Sequence, residues 1–518
     1  MNAISASIGT ISLALLLGAA ALATTQDHGA AAAAEPAVIY YDYVDGGVLL
    51  GGKIRVDPDD PQHTATGGAW LQGSYPWVPL VENGPSANRI DLVFVGDGYT
   101  TGELGSYATH VNNILPVFMG EFPFDAYATY FNVYRVDVAS NQSGVDNDPS
   151  PGISKDTALD MGFWCGGIER LLCVNVGKAN AAASSAPAFD LVLAVANSLK
   201  YGGAGYPSSD LATLSGNNGS SIEIALHEVG HALGNLADEY DYGDGSTYTG
   251  PEPYEPNVSI YGAATMDQLD AKWHLWLPEP NVDTYEGAYY KQYGIYRPTS
   301  NSKMRALGRP FEQVNVEQLI VSFYREVRPI DDASAPGERY QDQTQFYVTP
   351  LQPATHALDI QWSLNGTPVP GARGPTLDVA TLGLAPGRYL VSVRVTDGTD
   401  WVRDEALRQQ YLSEERSWTY FTSDIGLTAD PAVVTAGTTL ELATSNGLTG
   451  TPALLVVVQV NGLPTFTKIA SGTFVNGRWT FRATVPPGLA GYDVVFRSFG
   501  LSSSGRPAGS NPETVSCR

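Results

Sequence analysis

Residues 227–240 read HEVGHALGNLADEY, and this stretch decides how the rest of the chain is read. Two histidines stand four apart, with a glutamate directly after the first. On a helix a four-residue step turns about 40° and rises about 6 Å, so His227 and His231 share one face, a turn apart. Imidazoles so spaced can grip a single Zn²⁺ ion while Glu228 points at a water on it. The pattern is that of a zinc hydrolase, and a peptidase before any other.

The five-residue core alone arises by chance in many chains, so the flanks carry much of the weight. Ile222, Leu226, Val229 and Leu233 form a helical apolar stripe, and Ser220 with Glu223 fits a capping box at its start. Gly234 is the expected exit from the helix. On an unbroken helix Asp238 would lie about 16 Å along the axis from His227, too far to share its metal. A chain reversal at Gly234 brings Asp238 or Glu239 back toward the ion.

At 518 residues the chain has material for three or four domains, and 55 Gly with 34 Pro suggest turn-rich β modules. There are 54 acidic against 29 basic residues, a net charge of −25. Such a chain repels nucleic acid and anionic membranes. Its acidity leaves room for structural Ca²⁺, with Asp146 and Asp148 or Asp241 and Asp244 as candidates. Neither pair follows an EF-hand pattern, and ordinary turn chemistry is preferred.

Residues 1–23 read as a signal peptide, with the apolar run ISLALLLGAAALA at 11–23 ending at the small-x-small site Ala21-Leu22-Ala23. No further segment is apolar enough to span a membrane, so a secreted or cell-surface protein is expected. Of three cysteines, Cys165 and Cys173 stand eight apart and fit a short disulfide loop in an exported protein, leaving Cys517 over.

Along the chain, 36–85 alternates apolar and polar residues and predicts a small N-terminal β domain, followed by the linker VENGPSANR. The strands IDLVFVGD, FNVYRVDVAS and FDLVLAVANS, with helices between them, predict an α/β catalytic domain over 86–330 with a central mixed sheet. YGGAGYPSSDLATLS, just before the histidine helix, is expected to supply an edge strand to which a peptide substrate adds. The GDG at 96–98 lacks a dinucleotide or Walker spacing and reads as a turn, while His110, His274 and His356 stand alone. Residues 340–424 and 426–518 have the short strands and Gly/Pro breaks of two Ig-like β-sandwich modules. DDASAPGERYQDQ at 331–343 reads as an exposed linker, so the modules are expected to be independent spacers.

Several strings together resemble the bacterial zinc metallopeptidases named after the immunoglobulin A peptidase. They are DLVFVGDGYT (91–100), FNVYRVDVAS (131–140), FWCGGIERLLCVN (163–175), the zinc motif itself and YRPTSNSKMRALGRPFEQVN (296–315). The resemblance spans about 36–330. It implies a metzincin-like catalytic domain and a secreted endopeptidase, with His227 and His231 as ligands and Glu228 as base. The metzincin pattern H-E-x-x-H-x-x-G-x-x-H would put its third ligand at Ala237, which cannot bind metal. Asp238 is the preferred third ligand and Glu239 its competitor. For the methionine beneath the metal, Met304 is preferred over Met266.

The expected partner is a protein or glycoprotein substrate, mucin-like proteins included. The reading from another class is a surface adhesin or glycan-binding protein that keeps a peptidase domain only as scaffold. Glu228 argues against it, since a retired enzyme has no chemical need of its base.

Overall fold

The structure, a computed structural model, describes residues 37–45, 48–56, 74–340, 343–385, 387–422 and 425–518. The expected signal peptide lies outside the described residues. The first unit is built on β1 (Ala37–Asp45), β2 (Val48–Val56), β3 (Trp77–Val81), β4 (Ile90–Asp97), β5 (Phe131–Val136), β6 (Leu191–Ala196), β7 (Gly203–Tyr206) and β8 (Leu211–Ser215). They form one mixed sheet in the order β2-β1-β7-β8-β6-β4-β5-β3. The pairs β4–β5, β4–β6 and β6–β8 are parallel, while β7 runs antiparallel to β8.

The central strands are apolar on both faces because both faces are covered. On one side Leu92 and Phe94 of β4 pack with α1 (Leu104–Phe118), α3 (Ser221–Ala232) and α5 (Gln313–Glu326). On the other, Val93 and Val95 meet α2 (Val176–Ala183) and the loop closed by the Cys165–Cys173 disulfide. The GDG turn ends β4, and Asp97 there accepts the amides of Leu159 and Met161 at 2.9 and 2.8 Å.

Three expectations are corrected here. The strands of 36–85 are not a sheet of their own: β1 and β2 extend one end of the main sheet and β3 the other. Strand β7 is therefore not an edge, because β1 lies outside it, with Tyr40 opposite Gly205. An unpaired strand edge is a ready partner for another strand, and alternation in the sequence does not say which one will take it. Nor are the described residues of 331–343 an open linker, for Ile330–Ala333 and Glu338–Tyr340 are strands.

The middle unit has a three-stranded and a five-stranded sheet around a core that includes Phe346, Trp362, Val393 and Trp418. It is joined firmly to the first. Leu351, Val402 and Leu412 belong to the same apolar core as Phe94, Leu319 and Phe323. At the seam, Asp397 is fully buried and accepts the hydroxyls of Tyr127 and Tyr324 at 2.7 and 2.9 Å. His356 lies 3.0 Å from its other oxygen. Arg89 meets Asp331 through two bonds of 2.8 Å, and Glu317 on α5 accepts the Arg403 amide at 2.6 Å. The last unit, 425–518, forms a three-stranded and a six-stranded sheet whose described apolar clusters hold only its own residues, buried Cys517 among them.

Candidate metal centre

Helix α3 begins at Ser221, directly after β8, and carries the histidines on its last turns. The expected capping box is absent. Ser220 makes no side-chain cap, and Glu223 instead binds the Lys303 ammonium at 2.8 Å and the Gly308 amide at 2.9 Å. It thus ties the helix start to the loop that holds Met304.

The exit differs in detail from the expectation. Asn235, not Gly234, takes the left-handed conformation, at φ +49°. Asn/Asp side chains tolerate that region better than most. Gly234 is needed for space, since a Cβ there would come within 2.7 Å of the Gly230 carbonyl. The chain then runs back along the helix without regular structure, and neighbouring side chains diverge. Asp238 faces the histidines, and Glu239 faces away from them.

The Nε2 atoms of His227 and His231 lie 3.1 Å apart. Asp238 Oδ1 is 3.1 Å from the first and 3.4 Å from the second. Each Nδ1 meets a backbone carbonyl, Lys303 O at 2.9 Å for His227 and Leu236 O at 2.7 Å for His231. A carbonyl only accepts, so Nδ1 carries the proton, and in the neutral rings both Nε2 lone pairs point into the same small space. Three electron-rich atoms converge there, and all three side chains are fully buried. A cation is the group this donor set fits. Among the described residues it is the one place where three such groups meet. The Ca²⁺ candidates make hydrogen bonds within the protein: Asp146 accepts the Lys155 amide, Asp148 the Ser198 hydroxyl, Asp241 the Gly243 amide and Asp244 the Ser246 amide.

Glu239 is also fully buried, but its carboxylate accepts Ser302 at 2.6 Å, Asn315 at 2.9 Å and Asn257 at 3.0 Å. Burial raises its pKa above the usual carboxylate value in spite of those bonds. Its amide donates to Met304 O at 2.8 Å. Glu239 therefore fastens the returning segment that carries Asp238 to its surroundings. The Met304 thioether lies beneath α3 at Gly230, where a Cβ would stand only 2.6 Å from Sδ. Met266 packs in a separate cluster with Trp273 and Trp276.

Two tyrosines had no signal in the sequence. Tyr290 donates to Asp238 Oδ2 at 2.5 Å, from the turn between β9 (Tyr285–Ala288) and β10 (Lys291–Arg297). Tyr289 and Tyr290 both have positive φ, and their amides bind the carbonyls of Asp238 and Tyr240. Tyr40, from β1, stacks on His231 with ring centroids 4.2 Å apart and planes 15° apart. Strand β7 lies so close that a Cβ on Gly205 would be 3.0 Å from Glu228 Oε2 and 3.1 Å from His231 Cβ. The other histidines stay away from the site. His110 bonds Tyr99, His274 sits beside Asp270, and His356 serves the seam.

A mixed sheet with a helix-borne histidine pair, closed by a carboxylate from the returning chain, defines a metallopeptidase once its relatives are considered. Residues 78–281 match the family model described as IgA Peptidase M64. The match holds His227, Glu228, His231 and Asp238, while Tyr40, Tyr290 and Met304 lie outside it. No curated protein matches the chain. Among solved structures, the fibronectin(III)-like modules of Clostridium thermocellum CbhA are 14% identical, covering 36% of this chain and 91% of that one, with a TM-score of 0.12. The chicken interferon gamma receptor alpha chain is 6% identical, covering 36% and 96%, with a TM-score of 0.17. The ICAM-5 D1-D4 ectodomain fragment is 11% identical, covering 36% and 50%, with a TM-score of 0.14. Scores this low carry no weight for fold or function.

Proposed function

We propose that the protein is a secreted, zinc-dependent metalloendopeptidase with a metzincin-like catalytic domain, acting on extracellular proteins or glycoproteins. The observation that carries the reading is the convergence of His227, His231 and Asp238, with Glu228 on the same helix. Zinc is favoured over other cations by two imidazoles with one carboxylate. The ligand spacings of 3.1, 3.1 and 3.4 Å suit it. Bonds of about 2.05 Å in a tetrahedron put ligand atoms about 3.3 Å apart. Export is supported by the apolar run at 11–23 and by the Cys165–Cys173 disulfide. Immunoglobulin A specificity does not follow from the family's name.

Bound zinc would acidify a water and polarise the scissile carbonyl. The chain's own residues do the rest. The carbonyls of Lys303 and Leu236 fix both imidazole tautomers, and Tyr290 holds the Asp238 oxygen farther from the histidines. Glu228, set against β7, takes the proton of the attacking water and returns it to the departing amine.

The test is metal analysis combined with hydrolysis of a peptide library. Zinc should bind one per chain, chelation should abolish turnover, and Glu228→Ala should keep the metal while losing turnover. Asp238→Ala should empty the site. Full activity in Glu228→Ala would end the mechanism, and undiminished zinc in Asp238→Ala would end the ligand assignment.

A further inference from the structure

We infer that the N-terminal hairpin β1–β2 is an intramolecular lid on the metal centre, occupying the strand edge that a peptide substrate must use. The inference rests on the peptidase reading and concerns its regulation.

The centre as it stands is closed. His227, Glu228, His231 and Asp238 each have 0% exposure. A scissile bond must come within hydrogen-bonding reach of the water that Glu228 activates. Something must therefore move, and the hairpin is the element placed to do so.

Strand β7 has two backbone edges. One is paired with β8 and the other with β1, while its face packs on the metal helix, where a Cβ on Gly205 would meet Glu228 and His231. An extended peptide adds to a sheet through such an edge, and an edge can be used only once. Here β1 runs antiparallel to β7 with Tyr40 opposite Gly205, and so takes that place. From it the Tyr40 ring covers His231.

The polar hold on the hairpin is a single cluster. Tyr40 donates to Glu255 at 2.8 Å, and Glu255 also accepts Tyr289 at 2.8 Å. Lys53 on β2 joins the same group, 3.4 Å from Glu255 and bonded to Tyr289. Apart from it, Ile39 shares the apolar cluster of Val93 and Val95, and Tyr41 and Ile54 pack against that cluster. A two-stranded hairpin is marginally stable by itself, and β2 is the outermost strand of its sheet. Losing the Glu255 cluster should therefore release it. Tyr289 adjoins Tyr290, so the same cluster that latches the hairpin borders the turn that steadies Asp238.

The experiment uses the full-length, zinc-loaded protein with Tyr40→Ala and Lys53→Ala. Three quantities are read: kcat/KM on a quenched peptide, the rate of zinc loss to a chelator, and deuterium uptake by the β7 amides. Lys53 bonds Tyr289 and Glu255 but none of His227, Glu228, His231 or Asp238, so it keeps the test alive if Tyr40→Ala does not fold. Opening a mostly closed lid should raise kcat/KM and zinc loss at least about tenfold in Tyr40→Ala, with a smaller rise in Lys53→Ala. A synthetic peptide of residues 37–45 should then inhibit Tyr40→Ala competitively. Folded variants with unchanged zinc loss and uptake, and with equal or lower kcat/KM, would overturn the lid and make the hairpin a fixed wall of the site. Faster zinc loss and uptake in both variants, with no peptide cut by any form, would keep the lid and overturn the peptidase reading.

Discussion

The two C-terminal β units look alike in sequence and differ in how they are attached. Both have short alternating strands broken by glycine and proline, and both fold as paired sheets. The middle unit shares an apolar core with the peptidase unit and drives Asp397 into a cluster of its tyrosines. The last unit keeps its described apolar clusters to itself. Alternation reports that a strand has one buried face; it does not report what lies against the ends of the sheet. The middle unit is thus part of the peptidase unit's fabric, whereas the last keeps an apolar core of its own and sets Arg497 over the Phe421 ring of the middle unit.

The harshest way to break this comparison is truncation. A chain ending near 335 loses Leu351, Val402 and Leu412 from the shared core, roughly 1.5–3 kcal/mol each, against a typical total stability of about 5–15 kcal/mol. It should be insoluble or unfolded, whereas a chain ending at 422 should melt as a folded protein and keep its zinc. Calorimetry and metal analysis of both decide the matter, and a stable, metal-loaded short chain would restore the picture of independent modules.

Paired cavities sharpen it. Leu412→Ala and Leu455→Ala each remove one buried leucine at about 3 kcal/mol. The first should lower the melting of the peptidase unit and the second only that of the last unit. Equal effects on both would mean that the units are coupled. Smaller again, Asp397→Asn replaces an acceptor of the Tyr127 and Tyr324 hydroxyls and should cost about 2 kcal/mol by denaturant titration. An unchanged midpoint would show that the seam's polar cluster is dispensable.

The smallest effect depends on pH. The bond to Asp397 holds His356 above its ordinary pKa, although partial burial works against it. Its contribution is therefore full below about pH 6.5 and is lost as pH rises through the raised value. Asp397 is pushed up by burial, but its bonds from His356 and Tyr127 outweigh this and leave it below its ordinary value. Its share is full above about pH 4 and fades in stronger acid. The melting gap between wild type and His356→Ala should be widest between those limits and narrow toward pH 9. With His356 part-exposed the gap is under about 1 kcal/mol. A gap that widened with pH would reverse the assignment of charge.

The site's legibility followed sequence distance. His227, Glu228 and His231 share one helix, so their spacing alone put them together. Asp238 against Glu239 could not be separated from composition, because the choice depends on the turn at Asn235 and on Ser302, Asn257 and Asn315 claiming the second carboxylate. Tyr40 and Tyr290 come from elements with no motif and reach the site only through strand pairing and a positive-φ turn. The central strands of the sheet were readable from their apolar runs. That β1 would cap β7 was not, since pairing across so many residues leaves no local trace.

Helix α5 connects what has been described separately. Asn315, near its start, grips Glu239 beside Asp238. Two residues on, Glu317 grips the Arg403 backbone of the middle unit, and Tyr324 near the other end grips Asp397. A rigid rod fixed at one end to the ligand segment and along its length to a neighbouring unit works as a lever. A pull or tilt applied to the middle unit is delivered, through a single helix, to Glu239, the neighbour of Asp238.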